Sequence, residues 1–191
     1  MPQFIKRDIA LIRFRDLPLE AQDQAADTEW IYYPPSISYH WIKLESKASN
    51  SLPVEFYKLI QSLHIEELVI LGRNNKPWIS KETRNRTDDE GLLEAISFFN
   101  DLKMPKQFNG AVQIQTSEIP EFIPHYFTLT QGDSGFYDYY LTDINQHLLI
   151  HIHYTGRIKI LTLRKKIVTR LKKAVKNSFF VDAFMAGTDP I

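Results

Sequence analysis

Three of the chain's six histidines fall within the segment His147-Leu-Leu-Ile-His-Ile-His-Tyr154. On a β-strand, side chains alternate between faces, so Leu148, Ile150, Ile152 and Tyr154 share one face and His147, Leu149, His151 and His153 the other. Residues two apart on a strand lie about 6.6 Å apart at Cα, so two imidazoles can converge on one metal ion if a carboxylate supplies a third ligand. If residues 143–146 form a four-residue hairpin loop, Thr142 pairs with His147. Asp138 then falls opposite His151, on the face shared with His153, while His147 lies too far along to join them. His151, His153 and Asp138 are therefore the candidate metal ligands, and metal-assisted hydrolysis is the chemistry they would support. The same residues equally make a solvated or hydrogen-bonded sheet face, which is the expected reading.

Other motifs are weaker. Gly132-Asp-Ser-Gly135 matches the nucleophile segment of trypsin-like serine proteases letter for letter, but the helices expected here leave no room for two β-barrels, so a glycine-rich turn accounts for it better. Glu45-x-Lys47 is short enough to arise by chance and lacks a well-placed upstream aspartate. The stretch from Gly72 to Arg86 gathers five Lys or Arg, three Asn and Trp78 in one loop, where Trp78 would serve as a stacking platform or else pack onto the body. No Walker loop, dinucleotide fingerprint, HExxH or paired-cysteine pattern is present, and no cofactor is expected.

Lys plus Arg and Asp plus Glu number 23 each, but they are unevenly placed. From Arg157 to Val181 there are nine basic residues and no acid, whereas residues 1–156 carry 14 basic against 21 acidic side chains. Such asymmetry marks a nucleic-acid surface or is neutralised by acids on the same fold, and the neutral total favours neutralisation. The chain contains no cysteine, which excludes disulfides and thiolate chemistry. No apolar run reaches eighteen residues, so a cytoplasmic protein without a membrane segment is expected.

The elements that would position these residues follow from hydrophobic period. Phe4 to Phe14 reads as a strand, the acidic stretch after it as a loop or short helix, and residues 30–45 as two extended segments broken at Pro34-Pro35. Phe56, Leu59, Ile60 and Leu63 have helical spacing behind Pro53, and Glu67 to Gly72 reads as a buried strand. Thr87 followed by Asp88, Asp89 and Glu90 predicts a helix N-terminus, with Leu92, Ile96, Phe99 and Leu102 as its core stripe. Beyond Gly110 the period changes to two, and five strands are expected in "GAVQIQT", "HYFTLT", "GFYDYYLT", "HLLIHIHY" and "RIKILTL". Helical period returns with Ile167, Leu171, Ala174 and Val175.

The expected fold is α+β, one domain over residues 1–191, with an antiparallel meander in the C-terminal half and about three helices packed on it. The expected function is a protein-binding module of the inhibitor or immunity type, which neutralises a protein partner such as a toxin. Trp78, Tyr137, Tyr139, Lys172 and Lys173 are the candidate binding residues. The alternatives are a metal-assisted hydrolase or nuclease on His151, His153 and Asp138, and a nucleic-acid binder using the basic C-terminal helix.

Overall fold

The computed structural model describes residues 1–23, 28–45, 48, 51–86, 88–133, 136 and 139–183, with the backbone alone at 20–23 and 28–30. Its elements in chain order are β1 (Gln3–Ile5), α1 (Arg7–Arg13), β2 (Leu19–Asp23), β3 (Thr28–Tyr32), β4 (Ser38–Leu44), α2 (Leu52–Ser62), β5 (Glu67–Leu71) and α3 (Lys81–Arg84). There follow α4 (Glu90–Asp101), β6 (Ala111–Gln115), α5 (Ile119–Gly132), β7 (Tyr140–Asp143), β8 (Leu148–Ile152), β9 (Ile158–Thr162), α6 (Lys165–Lys176) and β10 (Phe180–Asp182). Eight strands form one antiparallel sheet in the order β1-β6-β5-β7-β8-β9-β4-β10, and β2 and β3 make a separate hairpin. The α+β class holds. The meander is shorter than expected, however: only β7, β8 and β9 follow one another, while β5 and β4, from the first half of the chain, flank them.

Both faces of the sheet are covered by apolar side chains, which is why its central strands read as nearly continuous apolar runs. On one face Leu68, Ile70, Leu141, Leu148, Ile150, Ile158 and Ile160 pack against α2, α4, α5 and α6 through Phe56, Ile60, Phe99, Phe122, Tyr126 and Leu171. Each such side chain contributes roughly 1.5–3 kcal/mol on full burial, so this layer dominates stability. On the other face Val69, Leu71, Tyr140, Leu149 and Leu161 meet Ala10 and Phe14 with Leu17, Ile31 and Tyr33, so α1 and the segment after β3 cover only part of it.

Three segments depart from the expected structure. Phe4–Phe14 is a strand only to Ile5. The rest is α1, where Ala10 and Phe14, one helical turn apart, both bury against the second face while Ile9 and Ile12 remain exposed. "HYFTLT" lies inside α5, whose buried Ile119, Phe122, Ile123, Tyr126, Leu129 and Thr130 keep helical spacing. Read from His125 onward that stripe is cut short and looks alternating, although Pro124 sits inside the helix. Within the acidic segment before Trp30, the described residues include β2 and the start of β3, which pair antiparallel where a loop or short helix is expected.

Thr87 lies outside the described residues. The side-chain cap of α4 comes from Asp89, whose carboxylate accepts the Leu92 N–H at 3.1 Å. Asp88, by contrast, pairs with the exposed Arg86. We predict that Asp89→Ala lowers stability by about 0.5–2 kcal/mol, as loss of an N-cap does. That loss shifts the thermal midpoint by about 2–4 °C per kcal/mol in a chain of this size. Asp88→Ala should stay within about 0.5 kcal/mol of wild type. Thermal unfolding of both variants checks this; equal midpoints would remove Asp89 from the cap.

Candidate functional site

Strand alternation sends Leu148, Ile150 and Ile152 of β8 into the helix-covered core and leaves His151 on the second face. Pairing then builds a lateral row on that face: Trp41 of β4 stands opposite Lys159 of β9, Lys159 opposite His151, and His151 opposite Tyr140 of β7. Lys159 is only 4% exposed, and its ammonium lies 4.9 Å from the centre of the Tyr33 ring and 5.9 Å from that of Trp41. The negative ring faces partly replace the water that the ammonium loses. Burial nevertheless holds its pKa below the ordinary lysine value. The Tyr33 and Tyr140 hydroxyls share a hydrogen bond of 2.5 Å, and the Tyr140 ring lies 5.3 Å from the His151 imidazole.

The row continues outward into solvent. The His153 ring lies 6.2 Å from His151, 6.4 Å from Trp41 and 4.1 Å from Tyr154, and its Nδ1 is 2.7 Å from the Thr155 hydroxyl. Tyr39, on the same face of β4 as Trp41, is 40% exposed, and Tyr154 is 48% exposed. Desolvation, helped by the charge of Arg157, lowers the His153 pKa.

The expected metal register is displaced by two residues. Thr142 pairs with Leu149, not His147, so Tyr140 rather than Asp138 faces His151. Asp138 and Tyr137 lie outside the described residues. Among the described residues no group of three or more His, Asp or Glu side chains is placed to hold a metal ion.

The cause of the displacement is Asp143. Its carboxylate is buried and accepts the backbone N–H groups of His147 at 2.6 Å, Leu148 at 3.3 Å and Asn145 at 3.3 Å. Its second oxygen lies 2.7 Å from Nδ1 of His147. Satisfying these donors holds residues 144–147 as a turn, with Gln146 in the left-handed region at φ 52°, and delays the ladder until Leu148. This His–Asp pair escaped the sequence reading, although an aspartate at a strand end is the ordinary signal for such a turn.

Trp78 and Tyr139 are core residues rather than binding residues. Each is 1% exposed; the Trp78 indole N–H donates to the Gly110 carbonyl at 2.9 Å, and the Tyr139 hydroxyl to the Trp78 carbonyl at 3.2 Å. Phe99, Phe108 and Phe136 surround the indole, and a Cβ at Gly72 would collide with it. Lys172 and Lys173 are exposed on α6, on the opposite side of the sheet from the histidine row. Of the basic residues from Arg164 to Lys176, Arg164 alone forms an ion pair among the described residues, with Asp16 at 2.7 Å. Among the described residues that is the one ion pair between these cations and the acidic body, while Glu66, Glu67 and Asp143 share a recess with Lys166 and Arg170. Glu45 follows β4, with Lys47, Ser134 and Gly135 outside the described residues. Asp133 of the glycine-rich segment is buried, accepting the Ser80 N–H at 2.9 Å.

No family model, no curated protein and no solved structure matches the chain. Among the described residues no helix is long and apolar enough to cross a membrane.

A pH dependence follows. Burial and the charge of Lys172 lower the pKa of His40 below its ordinary value near 6.5, against the opposing charge of Asp182, and His153 is lowered as well. Each therefore binds fewer protons folded than unfolded below pH 6.5. Their contribution is present above that value and is lost as pH falls through the folded-state pKa. We predict that the thermal midpoint falls from about pH 7.5 to about pH 5.5, and that a His40→Gln/His153→Asn double variant falls less. Parallel slopes in the two proteins would show that carboxylates alone govern the effect.

Proposed function

We propose that the protein is a protein-binding module, of the inhibitor or immunity type, which docks a protein partner against the end of its sheet that the other described residues leave exposed. The observation that carries this reading is the aromatic and imidazole patch of Tyr39, Trp41, His151, His153 and Tyr154, exposed or half-buried on β4 and β8, the two strands that flank β9, and on the turn after β8. Aromatic side chains dominate the energetics of interfaces because each buries a large area while losing little rotamer freedom. A sheet holds them rigidly, so little ordering remains to oppose association. The excess of acids over bases in residues 1–156 would add attraction for a basic partner.

The test begins with affinity capture from the native host and measures the captured partner's affinity for purified variants. Replacing both exposed tyrosines, Tyr39→Ala/Tyr154→Ala, should weaken binding by about 2 kcal/mol or more, roughly thirtyfold. Lys172→Ala/Lys173→Ala, on the far side of the sheet, should retain it. A partner indifferent to the tyrosine pair would place the interface elsewhere and overturn the reading.

A further inference from the structure

We infer that the groove between α2 and α6 is a binding site for a small ligand carrying adjacent phosphate groups, a site independent of the sheet face proposed above. The groove has a volume of about 410 Å³, and its lining includes His64, Lys166, Thr169, Arg170, Lys173 and Asn177, with no carboxylate among the described residues. That volume lies within the usual range of small-ligand sites.

The cations converge because the helix fixes them. Ile167, Leu171 and Ala174 are buried in the core, which sets the rotation of α6. Lys166, Arg170, Lys173 and Asn177 then fall at successive intervals of four, three and four, on one stripe along the groove. Arg170 is held across the gap by a 2.9 Å hydrogen bond to the Leu63 carbonyl at the end of α2. Like charges at these spacings destabilise a helix unless a counter-charge sits among them. Glu66, Glu67 and Asp143 line the recess on the other side of Lys166 and Arg170, but none forms an ion pair with either residue. Among the described residues these carboxylates thus stand outside the groove itself, whose charged lining is cationic.

His64 adds a second, separate observation. The N–H groups of His64 and Ile65 close α2 by bonding to the Gln61 and Ile60 carbonyls, and His64 itself lies at φ 54°. Glycine is the unstrained residue at this position, so a histidine there costs stability and adds an imidazole to the groove wall. Lys103 occupies the equivalent position after α4 at φ 60°, away from the groove, and so isolates the effect of strain from that of the site.

Shape decides the ligand class. Lys166 and Lys173 are separated by about 10 Å of helix rise, a span for more than one phosphate group, and the Arg170 guanidinium is suited to forked recognition of phosphate oxygens. Among the described residues the lining holds no aromatic ring other than the imidazole, and so no platform for stacked bases.

The experiment is calorimetric titration of inorganic triphosphate into the full chain at about 0.15 M ionic strength, where exposed charges are screened beyond about 8 Å. One-to-one binding is expected, weakened at least about tenfold by Lys166→Ala/Lys173→Ala and less than about twofold by Lys165→Ala/Lys172→Ala, which removes the same charge outside the groove. His64→Gly should raise the thermal midpoint by about 2–4 °C and weaken triphosphate binding at least about threefold, while Lys103→Gly should raise the midpoint alone. The inference is overturned by no binding, by equal losses in the two lysine pairs, by an affinity unchanged in His64→Gly, or by orthophosphate binding as tightly as triphosphate. A short single-stranded RNA that binds more tightly than triphosphate, and loses affinity with Lys166→Ala/Lys173→Ala, overturns it in favour of a nucleic acid.

Discussion

The buried carboxylate of Asp143 holds the β7–β8 turn, and the arrangement of the sheet's second face depends on it. Three backbone N–H groups converge on its oxygens, and a buried donor without an acceptor costs roughly 1–3 kcal/mol, so the turn has little freedom to slip. A slip of one residue would exchange the two faces of β8 and drive His151 into the helix-covered core. A slip of two keeps the faces and changes only the neighbours. That lesser freedom is what Asp143 removes, and with it the choice of which side chain stands beside His151.

The same distinction explains how far the sequence could be read. Period alone separates Leu148, Ile150 and Ile152 from His151 and His153, because parity is written into alternation. It cannot say whether Thr142 meets His147 or Leu149, because both pairings satisfy it. The regular stripes of α2, α4 and α6 were likewise legible, since Phe56, Leu59 and Ile60, or Ile167 and Leu171, bury on one continuous face. The stripe of α5 was hidden by Pro124 and by aromatic residues that suit strands equally well. The helix α1 was hidden because a short segment buries little more than Ala10 and Phe14 and leaves Ile9 and Ile12 outside.

The candidate sites were less legible still. Trp78 sits among polar and basic neighbours that suggest a surface, yet a carbonyl acceptor at Gly110 lets its indole N–H enter the core satisfied. Lys159 shows the opposite: a lysine in an apolar strand reads as a solvent-facing position, whereas Tyr33 and Trp41, distant in sequence, close over it. The basic stretch was plain from composition. Its lack of ion pairs beyond Arg164 among the described residues was not, because that depends on where the acids of other elements fall. The cations of α6 thus lie on the side of the sheet away from the aromatic patch, and the two surfaces offer different chemistry to different ligands.

The strand order also bears on how the chain is made. Among the described residues strand β4 pairs with β9 and β10, and more than a hundred residues separate Leu44 from Ile158. At about 5–20 residues per second, a ribosome takes roughly five to twenty seconds to span that interval. Throughout it, the Tyr39 and Trp41 strand has no sheet to join. Until β9 has been made, that segment therefore remains an extended aromatic run without its partners in the sheet.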